Sequence, residues 1–504
     1  MYNQLNESPP AVKLPAEPVP PAAITDPVAR LAMERFNIPY LFPYQRLVIS
    51  NILEGRNQIV ILPTGAGKSL CFQVPSVMLP GPTLVIFPLL SLMADQARRL
   101  EETGMTPGLL RGGQSREEHE SLWERIGQGT CRFIISNPET LLAESTACRL
   151  KELHISHLVI DETHTVSEWG ESFRPSYLRL GEIVEAAGKP LVTAFTATAS
   201  PLILEKIRQI VFAGEAVLLV SGNPDRPNIS YSVLPVLNKN HAVTLLAKSM
   251  EKPLIIFHRS RPGTEMTARL LRNRLTSDEI FFYHAALEKE EKKRLEKWFF
   301  SSKNGILCAT CAYGLGVDKP DIRSVIHRDV PPSVESYLQE SGRAGRDKDD
   351  SKAVLLFSEE DREAEALTEV GIQRERYRKM LEYCGSRTRC RREFLLEELG
   401  AAPEACFGCD VCAGKAASVA EGERDILLFV QKNRHRFTSR ETRTILCGLM
   451  NYFCREQRLW KHRWFGRLDH WAPDDMEDAI GTLLRRGALK LPPTGLFKNR
   501  LIPG

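Results

Sequence analysis

The sequence has no long uninterrupted run of apolar residues. Within its 504 residues, apolar stretches such as 84–92 are broken by Pro or polar residues, well before the roughly 20 residues that cross a bilayer. Residues 1–27 also lack the apolar core of a signal peptide. We therefore expect neither a membrane protein nor a secreted one, but a cytoplasmic protein, associated with the nucleoid if the source is bacterial.

Cysteine is sparse. Twelve residues in a chain of this length are too few for a disulfide scaffold, and several stand close together, which favours bound metal or free thiols in a reducing compartment. With 43% hydrophobic and 26% charged residues, the composition is that of a globular protein, and the length suits roughly three or four domains. No short-period repeat is present.

Positive charge is concentrated at one end of the chain. The formal net charge is only +4, yet the residues from Arg424 onward contain 16 Lys and Arg against 8 Asp and Glu. This asymmetry predicts a polyanion-binding module attached to a near-neutral body, and a merely solvated basic surface is the alternative.

Short apolar runs recur in two blocks and predict buried strands. They lie at 58–62, 83–87, 133–135, 157–160 and 191–195 in the first block, and at 254–257, 280–283, 305–309, 324–327 and 353–357 in the second. Amphipathic helical stretches alternate with these runs, as is typical of parallel sheets covered by helices. We therefore predict a disordered Pro-rich tail at 1–25, two α/β domains at 26–223 and 224–362, and smaller segments at 363–415 and 416–504.

A turn of small residues leads from the first predicted strand into a helix. It comprises Thr64, Gly65, Ala66, Gly67, Lys68 and Ser69. In such a phosphate-binding loop the backbone N–H groups and the helix N-terminus bind ATP phosphates, Lys68 reaches the β- and γ-phosphates, and Ser69 binds Mg²⁺. Leu62 stands where the pattern usually begins with Gly, so the match is partial, and a Gly-rich turn without nucleotide is the alternative.

Two carboxylates, Asp161 and Glu162, follow the predicted strand 157–160. The carboxyl edge of a parallel sheet is where ligands bind in open α/β folds. Asp161 is therefore a candidate ligand of the Mg²⁺ that bridges the phosphates, and Glu162 a candidate to polarise the attacking water. A solvated acidic turn is the alternative.

A third candidate group lies in the second block, around Gln339, Arg343 and Arg346. Two Arg three residues apart on one predicted helix face would both enter a cleft and stabilise charge on the γ-phosphate during its transfer. A solvated helix is the alternative. With the phosphate-binding loop, this pair predicts an ATPase whose site is complete only when its two domains close.

Together these residues resemble the motifs of the RecQ family of superfamily 2 DNA helicases, over about residues 26–504. The segments that carry the resemblance are 62–73, 161–164, 169–177, 194–199 and 309–320. It implies two tandem RecA-like motor domains with parallel sheets, a small helical zinc-binding module and a winged helix. It also implies an ATP- and Mg²⁺-dependent helicase that moves 3′ to 5′ on single-stranded DNA and unwinds duplex or forked DNA in repair, recombination or replication.

The resemblance assigns roles to further residues. Trp169, Phe173 and Arg174 match an aromatic-rich loop that couples DNA contact to hydrolysis; an aromatic ring there can stack on a base, and core packing is the alternative. Gln45 is implied to hydrogen-bond adenine, and His164 completes the motif that begins at the two carboxylates.

The sequence departs from the family pattern at three points. Phe42 stands where the adenine-contacting motif usually has Arg, which puts the second adenine contact in doubt. Thr163 replaces the usual Ala of the Asp-Glu-Ala-His motif. The sequence also ends before the further C-terminal helical domain that many relatives carry, so we expect no nucleic-acid contacts that depend on such a domain.

Closely spaced cysteines predict a structural zinc site formed by Cys390, Cys406, Cys409 and Cys412. Four thiolates suit tetrahedral Zn²⁺ and leave no position open for catalysis. The family has a zinc module with this arrangement. Cys384 is the alternative first ligand, and free thiols without metal are a second alternative. Bound Zn²⁺ would stabilise a segment that has little core of its own.

The C-terminal segment predicts a winged helix. Helices are predicted at 425–432, 439–449 and 473–486, and extended pieces at 488–491 and 496–502. Three helices and a hairpin fit this frequent reader of duplex DNA, and a basic helical cap is the alternative. The candidate phosphate contacts are Arg434, Arg436, Arg440 and Arg443. Phe497 would stack on an end base pair or pack within the wing.

Other functions stay open at this level. An RNA-remodelling ATPase of the same superfamily would be stimulated by RNA rather than DNA. A non-catalytic DNA-binding scaffold is disfavoured by the presence of Lys68, Asp161, Glu162 and Arg346. A small-molecule kinase does not account for a second, Arg-bearing domain. The sequence identifies no protein partner and no oligomeric state.

Overall fold

The computed structural model describes residues 26–504 except 64–65, 169–173, 223, 314–318, 369–370, 402–404, 407 and 495. The chain divides into two compact units, Met1–Asn223 and Pro224–Gly504. Within the described ranges, every helix is too short or too polar to span a bilayer.

The first unit is built on a seven-stranded parallel sheet. Its strands are β1 (Gln58–Ile61), β2 (Thr83–Ile86), β3 (Gly108–Leu109), β4 (Phe133–Ser136), β5 (His157–Ile160), β6 (Leu191–Thr196) and β7 (Leu218–Ser221). Its helices are α1 (Pro27–Phe36), α2 (Pro43–Leu53), α3 (Lys68–Met78), α4 (Leu90–Glu102), α5 (Arg116–Gly127), α6 (Pro138–Leu141), α7 (Glu144–Glu152), α8 (Thr165–Glu168), α9 (Leu180–Ala186) and α10 (Pro201–Phe212), with a 3₁₀ helix at Pro175–Arg179. The strand order is β3-β4-β2-β5-β6-β1-β7.

Both faces of this sheet are buried. At β1, Ile59 and Ile61 pack in one apolar cluster, whereas Val60 and Leu62 pack in a second cluster. Since successive side chains point to opposite faces of a strand, a sheet covered on both faces requires continuous apolar runs. The strands predicted from such runs in this unit are confirmed, with ends that differ by one residue at most.

The strand order determines where a ligand site can form. β6 lies between β1 and β5, with Ile61 paired to Thr196 and Ile160 to Ala194. The carboxyl ends of these three parallel strands therefore meet at one edge of the sheet. The segments that follow them converge at this edge, where open α/β sheets bind ligands.

The second unit contains a six-stranded parallel sheet. Its strands are β8 (Ile229–Pro235), β9 (Leu254–Phe257), β10 (Ile280–Tyr283), β11 (Ile306–Ala309), β12 (Ser324–His327) and β13 (Ser351–Phe357), in the order β10-β11-β9-β12-β13-β8. The helices of this part are α11 (Lys239–Ser249), α12 (Arg261–Leu275), α13 (Lys289–Ser301), α14 (Val334–Ser341), α15 (Glu359–Leu367), α16 (Ile372–Gly385) and α17 (Arg391–Glu398). The two parallel-sheet domains expected from the sequence are thus confirmed.

Three strands were not predicted from the sequence: β3, β7 and β8. All three lie at sheet edges. β3 has only two residues, β7 is mostly exposed, and β8 begins as an alternation of buried and exposed residues. Edge strands bury less apolar surface than central ones, and β3 and β8 lack a continuous apolar run. β7 lies in such a run, 216–220, which was not predicted to be a strand.

The C-terminal region has its own apolar core, which includes Phe429, Ile445 and Trp471. Its elements are α18 (Glu423–Lys432), α19 (Ser439–Leu446), α20 (Tyr452–Glu456), α21 (Pro473–Arg485), β14 (Leu489–Lys490) and β15 (Ile502–Pro503), with a 3₁₀ helix at Leu459–Lys461. β14 and β15 pair antiparallel and are shorter than the predicted extended pieces. α19 ends earlier than predicted, because Gly448 has a φ of +65°, outside the range of a right-handed helix. Glycine is required at this position, since a Cβ there would lie 2.9 Å from Gly466 Cα.

Candidate nucleotide and metal sites

The described part of the phosphate-binding loop leads directly into α3. Gly67 precedes Lys68 with a φ of +75°, and a Cβ at Gly67 would lie 2.5 Å from Gln45 Nε2. Both the left-handed backbone and the close approach therefore require glycine here. Lys68 and Ser69 lie in the first turn of α3, where helix N–H groups favour an anion. Thr64 and Gly65 lie outside the described residues.

Lys68 and the two carboxylates after β5 lie together at the edge of the sheet. Lys68 Nζ is 3.3 Å from Glu162 Oε1 and 3.9 Å from Asp161 Oδ1. The three side chains are only 11–15% exposed. The structure thus joins two sequence motifs, 94 residues apart, in one buried charged group.

The environment of Asp161 suits a cation. Burial, opposed by the charge of Lys68, raises the pKa of Asp161 to about 6. Asp161 Oδ1 is buried and has no hydrogen-bond partner among the described residues. A hard divalent cation would supply the missing partner for this oxygen, so the donor set of Asp161 and Ser69 fits Mg²⁺.

The two residues after the carboxylates attach this turn to β6. Thr163 Oγ1 lies 2.9 Å from the carbonyl oxygens of both Ile160 and Phe195. His164 Nδ1 lies 3.0 Å from Thr196 Oγ1 and 3.4 Å from the Glu162 carboxylate. Thr163, the departure from the family pattern, therefore adds contacts that Ala cannot make.

Gln45 is held against the phosphate-binding loop. Its side chain is buried, accepts a hydrogen bond from Phe42 N at 2.9 Å, and donates to the carbonyls of Ala66 and Gly67 at 3.4 Å. Phe42 stacks on Tyr44, with ring centroids 5.4 Å apart, and is 46% exposed. The position that usually carries Arg thus presents an accessible aromatic ring.

The predicted helix position of the Arg pair was wrong. Gln339 lies on α14, but this helix ends at Ser341, and Arg343 and Arg346 lie in the turns that follow. Gly345 has a φ of +55°, so the turns that contain the two Arg are not a continuation of the helix. The turns are held by Arg226, which donates to the carbonyls of Gly342, Ala344 and Gly345 at 2.8–3.1 Å. No motif in the sequence had singled out Arg226.

The proposed DNA-coupling loop is only partly described. Trp169 and Phe173 lie outside the described residues. Arg174 donates a hydrogen bond to the carbonyl of Pro88 and lies 3.9 Å from the Glu139 carboxylate. The role of the aromatic residues therefore stays a prediction.

The cysteine cluster forms in the second unit. The Sγ atoms of Cys390, Cys406, Cys409 and Cys412 all lie within 4.8 Å of one another. Cys384, the alternative first ligand, is buried in the core that covers the second sheet. Burial opposes ionisation, but hydrogen bonds from the backbone near Cys412 and Arg391 lower the pKa of Cys409 overall. Four thiols at these separations fit tetrahedral Zn²⁺.

Two arginines after Cys390 attach the cluster to the second sheet. Arg391 donates to both carboxylate oxygens of Asp410, at 2.9 and 3.2 Å, and Asp410 accepts from Val233 N of β8 at 3.0 Å. Arg392 is fully buried, pairs with Asp225 and donates to the Ile229 carbonyl at 2.8 Å. Only the fold brings these pairs together, since the partners are 19 and 167 residues apart.

The predicted phosphate contacts of the C-terminal region differ in accessibility. Three are exposed: Arg434, Arg436 and Arg440. Arg443 forms an ion pair with Glu477. Phe497 is 44% exposed, with its ring centroid 4.5 Å from that of His435. The winged-helix assignment stays a prediction.

Comparison with known families gives three matches. The description DEAD/DEAH box helicase matches residues 42–206, Helicase conserved C-terminal domain matches 238–348, and RecQ zinc-binding matches 348–413. These segments cover the phosphate-binding loop, the Arg-bearing turns and the cysteine cluster.

Individual relatives agree. The chain is 30% identical over 444 residues to the ATP-dependent DNA helicase RecQ of Bacillus subtilis, which covers 85% of this chain and 74% of that protein. It is 37% identical over 316 residues to the probable ATP-dependent DNA helicase RecS of the same species, over 62% of this chain and 63% of that protein, less than two thirds of its length. The DNA-bound DUF1998 helicase MrfA shares the fold, with a TM-score of 0.56 and 17% identity over 97% of this chain and 63% of that one. The chain therefore belongs to the RecQ family of ATP-dependent DNA helicases.

Proposed function

We propose that this chain is an ATP-dependent helicase that moves 3′ to 5′ along single-stranded DNA and unwinds duplex or forked DNA in repair, recombination or replication. The observation that carries the proposal is the buried group of Lys68, Asp161 and Glu162 at the carboxyl edge of the first sheet. The names of its relatives, which are DNA helicases, support DNA as the polymer.

Nucleotide binding rearranges the charges around Lys68. In the structure, Lys68 Nζ is paired with Glu162 Oε1 at 3.3 Å. The β- and γ-phosphates of ATP compete for this ammonium group, and when Lys68 turns toward them it releases the carboxylate. Glu162, held from the other side by His164, is then free to polarise the attacking water.

Asp161 and Ser69 are the proposed ligands of Mg²⁺. The cation supplies positive charge that neutralises the phosphates when it is bound. Asp161 can act as a ligand only when ionised, so its raised pKa makes the site sensitive to mild acid.

Gln45 and Phe42 are the proposed contacts of the adenine base. Gln45 already bonds to the loop carbonyls of Ala66 and Gly67, so a base bound to Gln45 is coupled to the loop that binds the phosphates. Phe42 offers an exposed ring on which the base can stack, in place of the usual Arg.

The other assignments rest on the family resemblance. We assign 26–223 and 224–362 to the two motor domains, 363–415 to the zinc module and 416–504 to the winged helix. Arg343 and Arg346 are proposed to stabilise charge on the transferred phosphate. Trp169 and Phe173 are proposed to couple DNA contact to hydrolysis. Zn²⁺ on the four cysteines has a structural role only.

One assay tests the proposal directly. ATPase activity is measured for the full chain alone, with single-stranded DNA and with RNA, and unwinding is measured on duplexes with a 3′ or a 5′ single-stranded tail. We expect DNA to stimulate hydrolysis, and we expect the protein to unwind the duplex with the 3′ tail but not the one with the 5′ tail. Stimulation by RNA only would favour an RNA-remodelling ATPase, and DNA binding without hydrolysis would favour a scaffold.

A further inference from the structure

Three residues that no sequence motif had connected meet in the second unit: His241, Glu421 and His470. His241 lies in the first turn of α11, which belongs to the domain of the second sheet. Glu421 lies just before α18, and His470 just before α21, both in the C-terminal region. The cluster therefore joins two parts of the second unit.

The atoms of this triad are arranged as metal ligands. Nε2 of His241 is 3.3 Å from one carboxylate oxygen of Glu421, and Nε2 of His470 is 2.9 Å from the other. The three ligand atoms lie within 4.8 Å of one another. Ligands of tetrahedral Zn²⁺ bound at 2.0–2.1 Å are about 3.4 Å apart, so the triad needs only a small contraction to bind such an ion.

The two imidazole rings have different neighbours on the sides that face away from Glu421. The ring of His241 stacks on Trp471, with centroids 3.7 Å apart and planes 18° from parallel. Asp469 Oδ1 lies 3.8 Å from Nδ1 of His470, the ring nitrogen that faces away from Glu421. At this distance Asp469 forms no hydrogen bond with the ring, but its negative charge favours a cation bound to His470.

The triad is accessible to solvent, and an ion pair outside it helps to position the helices that carry its residues. His241 is 3% exposed, whereas the side chains of Glu421 and His470 are 50% and 44% exposed, so a solvated ion can reach the site. Close by, Arg274 donates to both carboxylate oxygens of Asp475 at 2.6 and 3.0 Å. This ion pair fixes α21 against α12, so the ligands from the two regions stay within reach of one ion.

We propose that His241, Glu421 and His470 form a second metal site, which binds Zn²⁺ or a similar divalent transition-metal ion and fastens the C-terminal region to the domain of the second sheet. Two imidazoles and one carboxylate are borderline ligands suited to Zn²⁺, and water fills the fourth position. Metal binding displaces any proton on the two Nε2 atoms.

The test compares the zinc content of the full chain with that of Glu421→Gln. Gln keeps the size of the side chain and an oxygen that accepts a hydrogen bond, but it removes the anionic ligand. His470→Ala is the second variant, and both substituted side chains are about half exposed, so the fold is expected to persist. Glu456→Gln and His154→Ala, at exposed positions, are the matched controls.

Each protein is titrated with Zn²⁺ alone and, separately, with Co²⁺ alone. The original chain and both controls are expected to bind one more equivalent of zinc than the two variants, or to bind that equivalent at least tenfold more tightly. The Co²⁺ difference spectrum between the original chain and Glu421→Gln should lack sulfur-to-metal charge-transfer bands, whatever the occupancy of the cysteine cluster.

Two results would overturn the proposal. If the original chain and Glu421→Gln bind zinc with equal stoichiometry and affinity, the three residues form a hydrogen-bonded contact and not a metal site. Thiolate bands in the difference spectrum would assign the additional equivalent to the cysteines instead.

Discussion

The nucleotide site of the first unit and the cysteine cluster of the second balance their charges in different ways. In the nucleotide site, Lys68 lies between Asp161 and Glu162, so one ammonium group offsets part of the charge of two carboxylates. In the cysteine cluster, the four groups that converge within 4.8 Å of one another are all thiols, which carry no positive charge.

This difference separates a site that acts on its ligand from one that depends on it. The nucleotide site lies on the edge of a sheet whose two apolar cores are complete without ATP. The stretch that carries Cys406, Cys409 and Cys412 is attached to the second sheet by polar pairs such as Arg391 with Asp410, whereas α16 and α17 before it pack in the core of that sheet. Loss of a ligand residue should therefore abolish chemistry in the first case and structure in the second.

The largest effect is expected at the cysteine cluster. Cys409→Ser should remove the bound zinc and unfold or precipitate the protein, because structural zinc contributes on the order of 10 kcal/mol to folding. Zinc content and thermal unfolding provide the measurement. Cys148→Ser, at an exposed free cysteine, is the control. A soluble, zinc-free Cys409→Ser protein with an unchanged Tm would contradict a structural metal.

Lys68→Ala should produce the opposite result. DNA-stimulated ATPase is expected to fall by ~10²-fold or more, since a group that stabilises the transferred phosphate is lost. The protein should stay folded, because the cores that cover the sheet are untouched, but its Tm should fall because two buried carboxylates lose their cation. Lys151→Ala, at an exposed position in α7, is the control. Activity near that of the control would rule out Lys68 as the phosphate ligand.

The raised pKa of Asp161 predicts a dependence on pH. ATPase activity should fall as the pH drops through about 6, because the protonated carboxyl cannot bind Mg²⁺. The free energy of unfolding has the opposite dependence on pH. Between the ordinary value of 3.8 and about 6 the folded state holds more protons than the unfolded state, so the free energy of unfolding decreases as the pH rises across this window.

Asp161→Asn should remove this decrease and raise the Tm by a few degrees above the window relative to the original chain. Thermal unfolding on both sides of the window checks the sign. Asp278→Asn, at an exposed position, should behave like the original chain. If the Tm of Asp161→Asn lies below that of the original chain by the same amount at both pH values, ionised Asp161 does not destabilise the folded state.

The smallest effect is expected in the basic C-terminal region. If Arg434 contacts a DNA phosphate, Arg434→Ala should reduce the slope of log affinity against log salt concentration by about 0.9. Binding of forked DNA at several salt concentrations measures this slope, and Lys297→Ala, in α13, is the control. Identical slopes for both variants and the original chain would favour a solvated basic surface.

Local motifs were sufficient to predict much of the fold and of the nucleotide site. Continuous apolar runs identify central strands because both faces of a parallel sheet are buried, and Lys68, Asp161 and Glu162 each follow such a run. The same reasoning missed β8, whose pattern is that of an edge, and it placed Arg343 and Arg346 on a helix that ends before them.

The sequence by itself determines which residues can bind phosphate or metal, because the glycines of a turn, the spacing of cysteines and the spacing of apolar residues are properties of short segments. Only the tertiary structure decides which distant partners meet. Arg226 holds the Arg-bearing turns, Arg392 pairs with Asp225, and His241 meets Glu421 and His470 across 180 residues or more. Such pairs leave no local signature, because their partners come within reach of each other only when distant segments of the chain fold together.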